Sequence, residues 1–195
     1  MAYEGVKFET QFLNNQIPND PRIEDLKFWC TEFDRLKLAP PYDGGSYGNL
    51  SFRVSDNDPK FIITSSNIAL KEAQANDYYV TVMSCDLINA VVYADGVREP
   101  SSESMLHYAI YRERSDVKAI FHGHCDSLLA NASKLGLIET KKESPAGTIQ
   151  LVQSVLDIIK KHNFIILKNH GFISMGSSME EAGRLAVEML DKCAL

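Results

Sequence analysis

The sequence predicts a three-layer α/β/α fold on a central, mainly antiparallel sheet, as one domain over residues 1–195 with 1–19 as an N-terminal extension. Three observations carry this expectation. Apolar residues recur at helical spacing near both ends of the chain, and short β-branched and aromatic runs fill the middle. Several of those runs follow one another with no room for a helical crossover, which disfavours a doubly wound parallel sheet. With 195 residues, 45% of them hydrophobic, the chain can bury one sizeable core, and its length asks for no second domain.

The elements follow in order. After a polar lead, Asp20 and Pro21 offer an N-cap and a proline at the first helical position. Ile23, Leu26, Trp29, Phe33 and Leu36 then recur as one face of a helix that ends near Pro40 and Pro41. Residues 43–49 read as a flexible glycine-rich loop, and residues 50–54 alternate as a strand. A turn at Asn57, Asp58 and Pro59 leads to its hairpin partner, residues 61–64. Residues 78–83 and 91–93 are two further strands, the second closed by Asp95 and Gly96.

Pro100, Ser101 and Ser102 begin a helix that buries Met105, Leu106, Ala109 and Ile110, and residues 117–121 form a strand running straight into His122, Gly123 and His124. Ile149, Val152, Val155, Leu156 and Ile159 mark another helix. Residues 164–167 read as a buried strand and 172–175 as its continuation beyond His170 and Gly171. Ser178 and Glu181 form a capping box for a last helix that buries Ala182, Leu185, Ala186, Met189 and Leu190.

Composition excludes some roles. A net charge of -6 and a pI of about 5.4 leave no broad basic face for a nucleic-acid backbone. Residues 1–15 lack the apolar core of a signal peptide, and no stretch approaches the roughly 18 to 20 apolar residues that span a bilayer. A soluble, cytoplasmic protein with no membrane partner is expected. Cys30, Cys85, Cys125 and Cys193 are scattered without a C-x-x-C pair, which suits reduced structural thiols.

Chemistry concentrates in a few places. In an extended segment residues two apart share a side, so His122 and His124 can aim both imidazoles at one point, with Gly123 leaving room between them. Taken alone the pattern is weak, and two ordinary surface histidines explain it. His170 strengthens the metal reading, because it ends a buried strand where an isolated histidine needs a partner. Three neutral imidazoles would leave zinc one open position and its full charge.

Glu103 falls in the first turn of its helix, where the helix dipole alone also favours a carboxylate. Ser101 and Ser102, with Ser66–Asn67 and Gly48–Asn49, can jointly cradle a phosphate without any lysine, although each is separately an ordinary cap or turn. His107, four residues after Glu103, shares its helix face and reads as structural support. Cys125 reads as a packing residue and His162 as a helix-end cation or cap.

Taken in order, Gly48-Asn49-Leu50-Ser51-Phe52-Arg53, Thr64-Ser65-Ser66-Asn67, Pro100-Ser101-Ser102-Glu103, His122-Gly123-His124 and Asn169-His170-Gly171 resemble the class II aldolase/adducin family over roughly residues 20–195. The resemblance implies one zinc per subunit on His122, His124 and His170, and Glu103 as the proton-transfer group. It implies a phosphate site at Gly48, Asn49, Ser66, Asn67, Ser101 and Ser102, and a homotetramer. The implied reaction is aldol cleavage or formation, through an enediolate, of a short-chain sugar phosphate or related hydroxy-ketone. Epimerase members carry aspartate at the position of Glu103, so glutamate favours aldol chemistry. The alternatives are a zinc-dependent epimerase, dehydratase or decarboxylase, or a non-catalytic scaffold like the adducin head.

Three departures from the family pattern stand out. Asn67 occupies a position where glycine is common. The segment between His124 and His170 is shorter than in longer aldolases and lacks the stretch carrying a catalytic tyrosine; no tyrosine follows Tyr111. The chain also stops at its last predicted helix, without the tail that helps close the site in those enzymes.

Overall fold

The computed structural model describes residues 5–194. Its strands are β1 (Glu9–Asn14), β2 (Pro41–Tyr42), β3 (Gly45–Ser46), β4 (Gly48–Arg53), β5 (Phe61–Thr64), β6 (Tyr79–Asp86), β7 (Val91–Asp95), β8 (Ala119–Gly123), β9 (Ile138–Glu139), β10 (Phe164–Leu167) and β11 (Gly171–Gly176). Its α-helices are α1 (Ile23–Arg35), α2 (Ser104–Glu113), α3 (Asp126–Asn131), α4 (Ile149–Leu156) and α5 (Met179–Lys192).

Nine strands form one sheet in the order β1-β7-β6-β5-β4-β8-β11-β10-β9, while β2 and β3 pair apart from it. The parallel pairs of the described sheet, β1 with β7 and β10 with β9, lie at its two edges, and the pairs between them are antiparallel. Side chains alternate across each strand, so the sheet has two apolar faces and each needs a cover. Leu50, Phe52, Phe121 and Phe172 face the layer of α1, α3 and α5, where they meet Leu26, Phe33, Leu128 and Ala182. Ile63, Ile120, Ile165 and Ile173 face α2 and α4, where they meet Met105, Ala109, Val152 and Val155. The mainly antiparallel three-layer fold is therefore present.

Several local expectations change. The polar lead contains β1: residues 9–14 are mostly exposed yet pair with β7 in parallel register, Glu9 opposite Val91 and Phe12 opposite Ala94. The segment 43–49 is not a free loop, because β2 and β3 form a tight hairpin and Gly48 and Asn49 already belong to β4. Asp20 works one step early, its Oδ1 accepting the Arg22 backbone N–H at 3.0 Å in the turn before α1. The helix expected through Ile159 ends as α-helix at Leu156, and a single 3-10 turn at Ile159–Lys161 follows.

At α5, Ser178 accepts the Glu181 N–H as a cap should, but the Glu181 carboxylate returns to the N–H and hydroxyl of Ser177 rather than to Ser178. All four cysteines are free thiols; burial pushes Cys30 up to about 12, well away from a reactive thiolate. Among the described residues no helix is long and apolar enough to cross a membrane.

Candidate metal centre

β8 runs between β4 and β11, and its C-terminal end carries the histidine pair. His122 lies opposite Asn49 on one side and Ile173 on the other. It shares the face of Ile120, so its ring projects toward α2. β8 ends at Gly123, and His124 follows it with its ring stacked on Tyr47, centroids 5.2 Å apart. His170 arrives from the tight turn between β10 and β11, where its N–H donates to the Leu167 carbonyl at 3.0 Å and Asn169 takes a φ of 54°.

The two glycines beside these histidines are required by space. A Cβ on Gly123 would sit 2.3 Å from the Leu38 carbonyl oxygen and 2.7 Å from the Phe172 ring. A Cβ on Gly171 would sit 2.3 Å from the Gly123 carbonyl oxygen and 3.0 Å from the His122 ring. Glycine at both positions lets backbone and imidazoles share one small volume.

The three histidines converge. One ligand atom from each lies within 4.8 Å of the others, and the Nε2 atoms of His122 and His124 are 3.1 Å apart. Glu103 caps α2 and turns its buried carboxylate toward them, Oε2 at 3.1 Å from His122 Nε2 and Oε1 at 3.5 Å from His170 Nε2. The expected place for Glu103 in the first helical turn is thus shifted to the N-cap, with φ -101°.

Protonation follows from hydrogen bonding. His122 Nδ1 is 2.8 Å from the Phe172 carbonyl, which can only accept, so Nδ1 carries a proton and Nε2 faces the cluster. Burial, with His122 and His170 beside it, pushes His124 down to about 2. Burial also lowers His170, against the opposing pull of Glu103. Three imidazoles turned toward one another, beside a carboxylate whose two oxygens lack a hydrogen-bond donor, form a cluster that a divalent cation fits.

The centre opens into a cavity of about 570 Å³ whose lining includes all ten residues singled out from the sequence: Gly48, Asn49, Ser66, Asn67, Ser101, Ser102, Glu103, His122, His124 and His170. The serine and asparagine wall is partly engaged already. Ser66 Oγ donates to the Pro100 carbonyl at 2.9 Å, and Ser101 Oγ accepts the Glu103 N–H at 3.4 Å. Asn67 has φ 55°, the left-handed conformation that asparagine adopts more easily than most residues, which accounts for its standing in a glycine-like position.

Sequence reasoning missed other lining residues. Tyr42 and Tyr47 come from the unexpected hairpin and its exit, and Glu143, Ser144, Pro145 and Ala146 from an irregular loop. Lys7 comes from the segment ahead of β1. Of the remaining candidates, His107 is fully buried beneath the site, its Nδ1 2.7 Å from Ser51 Oγ. Cys125 packs outside the cavity with its sulfur beside Ser127, and His162 follows the 3-10 turn, its carbonyl accepting from Arg114.

Fold and site together define a class. Residues 32–195 match the family described as Class II Aldolase and Adducin N-terminal domain, and the chain belongs to this family. Among curated proteins it is 28% identical to an L-fuculose phosphate aldolase of Methanococcus maripaludis, covering 82% of this chain and 89% of that one. It is 27% identical to adducin-related protein 1 of Caenorhabditis elegans, covering 92% of this chain but 26% of that one. A solved L-fuculose 1-phosphate aldolase shares the fold with a TM-score of 0.73, at 22% identity over 91% of this chain and 85% of that one.

Proposed function

We propose that the chain is a zinc-dependent lyase of aldolase type, cleaving or forming a C–C bond in a short-chain sugar phosphate or related hydroxy-ketone. The observation that carries this reading is the meeting of His122, His124 and His170 beside Glu103 at one end of a cavity whose other end is hydroxyl- and amide-rich. The relatedness to curated L-fuculose phosphate aldolases supports it.

In this reading the three histidines hold the metal. When bound, zinc supplies the positive charge that polarises a carbonyl and favours the enolate form. Glu103 handles the proton. Breaking the C–C bond turns the neighbouring hydroxyl into the aldehyde carbonyl with release of its proton, and leaves an electron pair on the ketone fragment. There the Glu103 carboxyl delivers one proton to carbon, so protons balance; in the synthetic direction the carboxylate removes the proton from carbon and the new alkoxide regains one. Burial of Glu103 keeps water from competing for that transfer. Gly48, Asn49, Ser66, Asn67, Ser101 and Ser102 orient the phosphate, fixing the reacting carbons relative to Glu103. A single-domain subunit in a homotetramer completes the proposal.

Product analysis on a panel of phosphoketoses tests the reaction type. Aldol cleavage yields two carbonyl fragments from one ketose; recovery of an epimer, a dehydrated product or carbon dioxide instead would transfer the same centre to one of the other reactions. The similarity to an adducin-related protein favours a second reading, a scaffold without chemistry. Against it stands the buried acceptor cluster, which a scaffold has no reason to maintain.

A further inference from the structure

Lys7 is the one lysine or arginine among the described residues that line the cavity, and none of the roles assigned so far uses it. Its position is set by the strand that follows. The Glu9 N–H donates to the Ala90 carbonyl at 2.9 Å, β1 pairs with β7, and the Thr10 hydroxyl donates to the Glu99 carboxylate. Glu99 directly precedes Pro100, Ser101 and Ser102, and its carbonyl accepts the Ser66 N–H at 2.9 Å. The segment carrying Lys7 is thereby fixed to the wall that bears Ser66, Ser101 and Ser102.

We propose that Lys7 is the cation that recognises the phosphate monoester of the substrate, at the serine and asparagine end of the cavity. The inference rests on the reading of the cavity as a phosphoketose site. Hydroxyls and amides orient a phosphate but leave its charge uncompensated, and an ammonium on a flexible stem supplies that charge without demanding one geometry. The N-terminal segment, which the sequence left as a polar lead, then becomes part of the specificity of the site.

The test titrates the zinc-loaded protein and its Lys7→Met and Lys7→Arg variants with inorganic phosphate by calorimetry. The expected result is weakening of about 10- to 100-fold in Lys7→Met, the span of one hydrogen bond to a charged group, with most of the affinity restored in Lys7→Arg. In turnover, KM for a phosphorylated ketose rises in Lys7→Met by a similar factor, with kcat held within about twofold and the unphosphorylated sugar unaffected. Phosphate binding that is absent in the unsubstituted protein, or equal with and without Lys7, overturns the proposal. Lys7-dependent phosphate binding in a protein that turns over no phosphoketose supports Lys7 while defeating the aldolase reading, so the two fail separately.

Discussion

Glu103 and His122 face each other within hydrogen-bond distance, both side chains buried. The carboxylate Oε2 lies 3.1 Å from His122 Nε2, while His122 Nδ1 donates to the Phe172 carbonyl at 2.8 Å. A buried carboxylate and imidazole that close need a proton or a cation within reach of both. The arrangement therefore binds the fate of the carboxylate to that of the histidine cluster, and each can be perturbed by itself.

Glu103→Gln removes the charge while keeping the shape, and the new amide can donate to His122 Nε2. The variant is expected to fold and retain its metal while turnover falls about 10²- to 10⁴-fold, the usual span for a positioned acid–base group. Steady-state rates beside metal analysis check this. Unchanged turnover would remove Glu103 from the reaction.

Gly123→Ala places a methyl group 2.3 Å from the Leu38 carbonyl oxygen and 2.7 Å from the Phe172 ring. The nearest neighbour is backbone, which yields little, so a loss of about 1–3 kcal/mol in denaturant midpoint experiments is expected, with weakened metal retention. A variant as stable and as metal-replete as its parent would show that the close packing around Gly123, where β8 pairs with β11, does not set the centre.

Ser51 joins two buried groups, its Oγ lying 2.7 Å from His107 Nδ1 and 2.8 Å from the Tyr111 hydroxyl. Ser51→Ala strands His107 Nδ1 and leaves the Tyr111 hydroxyl only its backbone partner at Ile120, and a loss of about 1–3 kcal/mol follows from leaving a buried polar group unpaired. Because this network lies beneath the centre, the metal content of the folded variant should match the parent.

His107 also gives a pH dependence. Burial, with His122 adding to it, holds the folded His107 well below its ordinary 6.5. Below about pH 6.5 the unfolded chain takes up a proton there that the folded one refuses, so this contribution to stability is full above that pH and declines as pH falls. Unfolding midpoints of the parent should drop more steeply between about pH 7 and pH 5 than those of His107→Gln. Parallel curves would contradict the assignment.

Much of this was legible in the sequence, for identifiable reasons. Helices α1 and α5 announce themselves because one face must be apolar, and β10 because four consecutive buried residues leave no polar alternation. The histidines were found by motif order, since no periodicity distinguishes a ligand from a core residue. β1 was hidden because it is an edge strand with exposed side chains, stabilised by backbone pairing that composition does not reveal. α3 and β9 are too short to show a period, and α3 buries Leu128 alone. Lys7 and the loop from Glu143 to Ala146 were illegible because what brings them to the cavity is tertiary.

Metal stoichiometry tests the central claim most directly. Protein supplied with zinc and then freed of excess ion should carry one zinc per chain by elemental analysis, and His122→Ala and His170→Ala, though folded, should each carry almost none. A folded parent protein that retains no divalent ion after the same treatment would contradict the account.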